Sequence, residues 1–281
     1  MIPVIRASLI LVAFFAMTLP LMPVQAVLLR LRLRSGGRRP PWRHFPNWYH
    51  RQLCRLLGVR LHVEGAVTPG QPTLLLANHV SWLDIPVLSA VAPVSFVAKR
   101  EVATWPMVGA LARLQRTVFV DRERRARVGA TTSEIERRLA EGDCIVLFAE
   151  GTSSDGNGVL PFRSALIGAA GIDQRRKHTA GTPARPTIDV RTLSLAYTHR
   201  HGMPLDRGQR PGIAWYGDME LAGHVWALLK DGPIDVQIRI GAAVPLADFA
   251  DRKALALYSE RAVRANVAEL LRRGGASAPN P

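Results

Sequence analysis

The stretch Leu74-Leu75-Leu76-Ala77-Asn78-His79-Val80-Ser81-Trp82-Leu83-Asp84 passes from a purely apolar run to an Asn-His pair, and reaches an aspartate five residues after the histidine. Five is an awkward interval. On a helix it is about 140° around the axis, so His79 and Asp84 would not share a face. On a continuous strand an odd interval places the two side chains on opposite faces. If they meet, the chain turns between them: a strand ends at Ala77 and a helix begins near Trp82. Imidazole is the usual general base near neutral pH, and a carboxylate on its other nitrogen holds the tautomer and stabilises the imidazolium. A structural reading competes. Ser81-x-x-Asp84 also fits a helix capping box, with Asn78 or His79 closing a turn. The spacing alone favours the capping box.

Outward from this stretch, short apolar runs alternate with longer mixed segments. Strands are predicted at Arg60–Val63, Thr73–Ala77, Val94–Ala98, Thr117–Val120, Cys144–Phe148, Thr192–Ala196 and Ile234–Ile240. Helices are predicted at Asp84–Ala90, Ala103–Leu114, Arg124–Ala140 and Gly217–Leu229, with a closing helix over Ala247–Arg273. Such alternation indicates an α/β fold, a mixed and partly parallel sheet flanked by helices. Strict alternation in Ile234–Ile240 predicts one wet face there. The polar, aperiodic Asp173–Pro186 reads as an exposed loop and Gly274–Pro281 as a disordered tail. The expected division is residues 1–57 as membrane anchor and interfacial helix, 58–273 as catalytic domain, and 274–281 as tail.

The 281 residues carry 37 basic against 22 acidic side chains, a formal net charge of +15. Arginine-rich coding bias accounts for part of this; an anionic membrane surface is the functional reading. No nucleic-acid motif is present. Residues Ala7–Leu29 carry no charge and, as a helix, span roughly 34 Å, about the hydrocarbon thickness of a bilayer. Pro20 and Pro23 would kink or end that helix early. Pro23-Val24-Gln25-Ala26 also resembles a signal-peptidase site. The flanking charges favour a retained anchor or re-entrant hairpin: Arg30, Arg32, Arg34, Arg38, Arg39 and Arg43 follow the run, against Arg6 before it. The positive-inside rule then places the catalytic domain on the cytoplasmic face of the inner membrane. The segment Phe45–Leu53 mixes aromatics and cations like an interfacial helix, or is a packed helix with Trp48 and Leu53 inward.

Other predicted strands also end in chemistry-bearing residues. Cys144–Phe148 runs into Ala149-Glu150-Gly151-Thr152-Ser153-Ser154-Asp155-Gly156, which puts backbone N–H groups and hydroxyls at the carboxyl edge of the sheet, where open α/β folds bind ligands. It is neither a G-x-S-x-G elbow nor a P-loop. Lys99 follows Val94–Ala98, Arg122 follows Thr117–Val120, and Arg163 closes Leu160-Pro161-Phe162-Arg163. Each alone reads as a solvated strand end or loop. Cys54 and Cys144 have neither CxxC spacing nor a histidine set, so no zinc site or disulfide framework is expected.

Taken together, "NHVSWLD", "RTVFVDR", "FAEGTSSDG" with "LPFRSAL", and the apolar stretch after Val190 stand in the order and rough spacing of the glycerolipid acyltransferase blocks. Over about residues 59–245 the sequence resembles the 1-acylglycerol-3-phosphate acyltransferase family. The resemblance implies a membrane-bound O-acyltransferase with His79 as general base and Asp84 as its orienting partner. It also implies that Lys99, Arg122, Glu150, Gly151, Thr152 and Arg163 bind substrate. The acyl group would pass directly from a coenzyme A or acyl carrier protein thioester to a lysolipid hydroxyl, with no acyl-enzyme, no metal and no resident cofactor. Donors for the developing oxyanion are expected among backbone N–H groups near His79. Two positions depart from the pattern. Ser153 stands where the family commonly has Arg, and Arg116 where it has Gly. Losing the first removes a bidentate phosphate ligand, for which Arg116 or Arg163 would compensate. Otherwise the acceptor differs from 1-acyl-sn-glycerol-3-phosphate, and the lyso-ornithine lipid branch, whose head group carries a carboxylate and an amine, is the alternative. A lipid hydrolase and a non-catalytic lipid-binding protein are the competing classes.

Overall fold

The computed structural model describes residues 1–31, 40–121, 125–170 and 188–275. Expectations for Arg122, for the loop 173–186, for Arg32, Arg34, Arg38 and Arg39, and for most of the tail lie outside the described residues.

The central stretch folds as strand, turn and helix. Strand β2 (Thr73–Ala77) is buried along its whole length. Leu75 and Ala77 enter one apolar cluster, while Leu74 and Leu76 enter another on the opposite face. A strand covered on both faces reads as a continuous apolar run, which is why Leu-Leu-Leu-Ala shows no alternation. Its neighbours are β5 (Cys144–Phe148) and β6 (Asp189–Arg200), both parallel to it. Beyond β5 lie β3 (Val94–Lys99) and β4 (Val118–Val120), also parallel. Beyond β6 lie the antiparallel β8 (Ile234–Val244) and, parallel to β8, β1 (Val59–Glu64). The order of this eight-stranded sheet is β1-β8-β6-β2-β5-β3-β4, with the short β7 (Met203–Pro204) pairing with β6. The predicted mixed, partly parallel sheet is therefore present, and most of its strand pairings are parallel.

One face is covered by α2 (Pro41–Leu57), α3 (Asp84–Val91) and α6 (Leu221–Lys230), whose Cys54, Val87 and Leu228 join the first cluster. The other is covered by α5 (Arg125–Ala140) and α7 (Arg252–Gly275), through Ile135, Leu139, Val263 and Val267. Because β2, β3, β4, β5 and β6 run in the same direction, their carboxyl ends share one edge of the sheet.

Several elements differ from expectation, each for a local reason. The helix predicted over Ala103–Leu114 is two pieces, a 3₁₀ turn at Arg100–Thr104 and α4 (Val108–Leu114). Pro106 and the left-handed backbone of Met107 (φ 59°) separate them. The polar face of β8 is not wet. Asp235 is buried beneath a bidentate Arg60 (both bonds 2.7 Å), and Arg239 bonds Glu64 at 2.6 Å and Glu269 at 2.7 Å. In α2, Leu53 points inward but Trp48 is 46% exposed. The same helix secures the end of α3: Asn47 donates to the Ser89 and Ala90 carbonyls and Arg51 to Ala90.

The apolar N-terminal run forms one helix, α1 (Ile2–Leu31), unbroken at Pro20 and Pro23. It is long and apolar enough to cross a membrane. Its buried residues Ala7, Ile10, Thr18 and Gln25 recur at helical spacing and so form one stripe against the body of the protein. Three polar contacts fasten it there: Arg6 to the Leu229 carbonyl (2.7 Å), Thr18 with the Tyr49 hydroxyl (2.7 Å), and Gln25 to the carbonyls of Trp42 and Leu114 (2.9 and 3.0 Å). The contacts of Thr18 and Gln25 flank the two prolines. Elsewhere Val4, Leu9, Val12, Leu19 and Val27 are exposed, a large apolar surface of the kind that contacts lipid.

Candidate active site

The turn between β2 and α3 brings His79 and Asp84 together. The His79 Nδ1–H donates to Asp84 Oδ2 at 2.7 Å. Asp84 is fully buried, whereas the histidine side chain is 19% exposed. This pairing leaves Nε2 as the basic nitrogen of the neutral ring, and among the described residues no group bonds it. The same Oδ2 accepts the N–H groups of Val80 (2.7 Å) and Ser81 (3.1 Å), and Oδ1 accepts the Tyr197 hydroxyl (2.7 Å). The capping and catalytic readings are thus not rivals. Asp84, the first residue of α3, reaches back to the amide of Ser81 in the preceding turn and orients His79 with the same carboxylate. The other half of a capping box is missing, since among the described residues the Ser81 hydroxyl has no partner.

Three further contacts shape the turn. The His79 ring lies flat on Phe148 at the end of β5, 3.9 Å between centroids with planes 12° apart. The Glu150 Oε1 accepts the His79 N–H at 3.1 Å. The His79 carbonyl accepts the Ser154 N–H at 2.9 Å. Phe148, Glu150 and Ser154 therefore hold the His79 turn from behind. Burial pushes the Glu150 carboxyl up to about 8, against the opposing pull of the His79 amide. Gly151 adopts φ 78°, a left-handed turn that a side chain would strain.

The amides expected to serve an oxyanion are committed elsewhere: those of Val80 and Ser81 to Asp84, and that of His79 to Glu150. Thr152 and Arg163 are exposed near the end of β5, the Arg163 N–H donating to the Ala149 carbonyl at 2.7 Å. Lys99 is exposed at the end of β3, on the same edge. Arg116 is not available to a substrate. It precedes β4, at the opposite edge of the sheet, where it pairs with Asp143 (3.0 Å) and Glu141 (2.6 Å). Ser153 donates its hydroxyl to the Trp215 carbonyl, and the Trp215 N–H bonds the Val80 carbonyl at 2.9 Å.

Beside the turn is an apolar cavity of about 380 Å³, lined by α1, α2, α4 and α6 and by Trp82, Ile85, Phe96 and Ala98. Phe96 stands 6.0 Å from Phe148, nearly parallel to it, so two phenyl rings separate the cavity wall from the imidazole. An imidazole whose Nε2 is unpaired among the described residues, at a turn whose Trp82 lines an apolar cavity, suits proton abstraction from a lipid hydroxyl.

The comparisons with known proteins agree. Residues 58–171 match the family model described as Acyltransferase. The chain is 47% identical to the lyso-ornithine lipid O-acyltransferase of Brucella abortus, over 94% of this chain and 95% of that protein. It is 42% identical to the enzyme of the same name from Rhizobium meliloti, over 97% and 89%. The chain belongs to the 1-acylglycerol-3-phosphate acyltransferase family. It is also 32% identical to the 1-acyl-sn-glycerol-3-phosphate acyltransferase of Neisseria meningitidis, over 78% of this chain and 79% of that protein. The crystal structure of the corresponding Thermotoga maritima enzyme shares its fold, with a TM-score of 0.63 over 95% and 96% of the chains at 22% identity. This acyltransferase therefore acylates a lysolipid in membrane-lipid biosynthesis, which sets aside the hydrolase and lipid-carrier readings. Sequence reading missed three of its site contacts: Tyr197, the Phe148 stack, and Glu260 of α7, which accepts the Phe162 N–H (3.0 Å) and so fixes the loop carrying Arg163. None has a local signal, because each partner is distant in the chain.

Proposed function

We propose that the protein is a lyso-ornithine lipid O-acyltransferase working at the cytoplasmic face of the inner membrane. The observation that carries the chemistry is the 2.7 Å His79–Asp84 bond, which leaves Nε2 basic at a turn whose Trp82 lines an apolar cavity. Nε2 takes the proton of the lysolipid hydroxyl as that oxygen attacks the thioester carbonyl carbon. The tetrahedral intermediate expels the thiolate, which recovers the proton from the imidazolium. Asp84 stays ionised and stabilises the imidazolium between the two transfers. The cavity takes an acyl chain. Lys99, Thr152 and Arg163, exposed on the same edge, and Arg122, on family resemblance, take the polar ends of donor and acceptor. Glu150 and Gly151 act from behind by holding the turn. The donor is an acyl-coenzyme A or acyl carrier protein thioester, and no resident cofactor takes part.

Two things support the ornithine head group over a phosphate. The lyso-ornithine relatives match nearly the whole chain. The position where the family commonly has Arg is Ser153, whose hydroxyl is engaged by a backbone carbonyl. Residues 1–57 form the membrane seat of the catalytic domain, with the apolar face of α1 lying in the cytoplasmic leaflet.

The test is an acyl-transfer assay on membranes containing the protein, offering lyso-ornithine lipid and lysophosphatidic acid side by side, each with both thioester donors. Preferential acylation of lyso-ornithine lipid is expected. Preference for lysophosphatidic acid would overturn the head-group assignment and leave the chemistry of His79 standing.

A further inference from the structure

Tyr197 lies on β6, beyond the residues matched by the family model and 113 positions from Asp84 in the chain. We propose that Tyr197 is a positioning residue for acyl transfer, fixing the Asp84 carboxylate so that its other oxygen stays on the His79 ring. The inference rests on the reading of His79 and Asp84 as base and orienting partner.

Three observations support it. First, the Tyr197 hydroxyl is the one side-chain donor to Oδ1 among the described residues, at 2.7 Å, whereas Oδ2 serves the imidazole and two amides. Removing that donor would leave one oxygen of a fully buried carboxylate without its side-chain hydrogen bond. A hydrogen bond to an ionised acceptor is among the strong ones, and it fixes the plane of the carboxylate. Burial, and then the neighbouring Asp84 charge, push the Tyr197 hydroxyl well above its usual range, so it donates a hydrogen bond without giving up its proton.

Second, the strand is clamped at the height this contact needs. The Asn78 side-chain amide donates to the Leu195 carbonyl and accepts the Leu195 N–H, both at 2.9 Å. The main-chain pairing of β2 with β6 stops at Ala77 and Leu193. The Asn78 amide thus stands in for the next peptide unit after the β2 backbone has turned away toward His79. Tyr197, two residues beyond Leu195, falls on the same face of β6. Third, the pairing of β6 with β8 shifts register between Tyr197 and His199. Such bulges bend a strand and re-aim its side chains. Asn78 is therefore part of the same device: one residue of the motif carries the base next door, and its amide holds the strand that secures the base's partner.

The experiment uses the full chain in lipid vesicles, with lyso-ornithine lipid as acceptor and an acyl-carrier-protein or coenzyme A thioester as donor. Tyr197→Phe, Asp84→Asn and the double variant are compared, with rates expressed per folded protein from thermal melts. Tyr197→Phe is expected to lower kcat about tenfold, the size of one charge-assisted hydrogen bond, with KM for both substrates within about twofold. In the Asp84→Asn background the same substitution should remove less than about twofold more, because the hydroxyl acts through the carboxylate. A wild-type kcat in Tyr197→Phe, a loss confined to KM or melting temperature, or equal fold-losses in both backgrounds would overturn the inference. Full activity of Asp84→Asn alone would instead overturn the reading of the base on which it rests.

Discussion

Two buried aspartates occupy opposite edges of the same sheet, and the difference between them separates catalysis from support. Asp84 follows β2 at the carboxyl edge and collects one imidazole, two amides and a phenol. Asp143 precedes β5 at the amino edge and collects three guanidiniums, from Arg43 (2.7 Å), Arg116 (3.0 Å) and Arg138 (2.8 Å). The indole of Trp42 lies between two of them, with Arg43 at 4.7 Å and Arg116 at 4.6 Å from its ring centroid. Each carboxylate is nearly inaccessible to solvent. The first cluster ends in a weakly basic, partly exposed nitrogen that can exchange a proton. The second consists of permanently charged groups that bond one another and tie α2 to the catalytic body. A buried charge is chemically useful when its partner can change protonation state, and structural when it cannot.

The largest effect expected from this contrast is on the carboxyl edge. His79→Ala should lower acyl transfer about a hundred- to ten-thousandfold, the usual contribution of a general base. The melting temperature should hardly change, because the ring is partly exposed; a rate close to wild type would break the assignment. Asp143→Ala should behave oppositely. It leaves three guanidiniums without their shared carboxylate, and removing one partner of a buried pair costs about 3–5 kcal/mol. A thermal melt should show that loss, while kcat per folded molecule stays put; a drop in kcat would mean that the two edges are coupled.

Phe148→Leu sharpens the catalytic side by removing the ring beneath His79. The aromatic pairing is worth about 0.5–1.5 kcal/mol, so a two- to tenfold fall in kcat/KM is expected, measured with saturating donor. The remaining effect, on stability rather than on rate, concerns Glu150. Its folded carboxyl titrates near 8 against an ordinary 4.5, so between those values the native state keeps a proton that the unfolded chain has lost. This term makes stability fall as pH rises from about 4.5 to about 8. Glu150→Gln keeps an oxygen for the His79 amide and has no proton to lose. Melts across that range should show wild type losing ground to Glu150→Gln as pH rises; parallel curves would mean that Glu150 titrates normally.

Much of the architecture was legible in local pattern. Cys144–Phe148 and Thr73–Ala77 were read to the residue because fully buried parallel strands are bounded apolar runs. Segments governed by distant partners were less legible. Strand β6 was read as Thr192–Ala196 but extends over Asp189–Arg200, since its ends are stabilised by pairing with β2, β7 and β8 rather than by their own residues. The site divides in the same way. His79, Asp84 and the Glu-Gly-Thr turn lie within contiguous motifs. Arg116 looked like a possible phosphate ligand, yet it begins a strand rather than ending one, and so faces the wrong edge.

By itself, then, the sequence determined the strand–turn–helix at residues 74–91 and the family, and singled out His79 as the candidate base, because these depend on side-chain types at short separations. Only the tertiary structure decided how Asp84 serves both as acceptor for the turn amides of Val80 and Ser81 and as partner of His79. It also decided that Glu150 supports the turn from behind and that Tyr197 reaches across from β6. Those roles depend on which strands become neighbours, and strand neighbours are chosen by burial of the whole sheet rather than by any one segment.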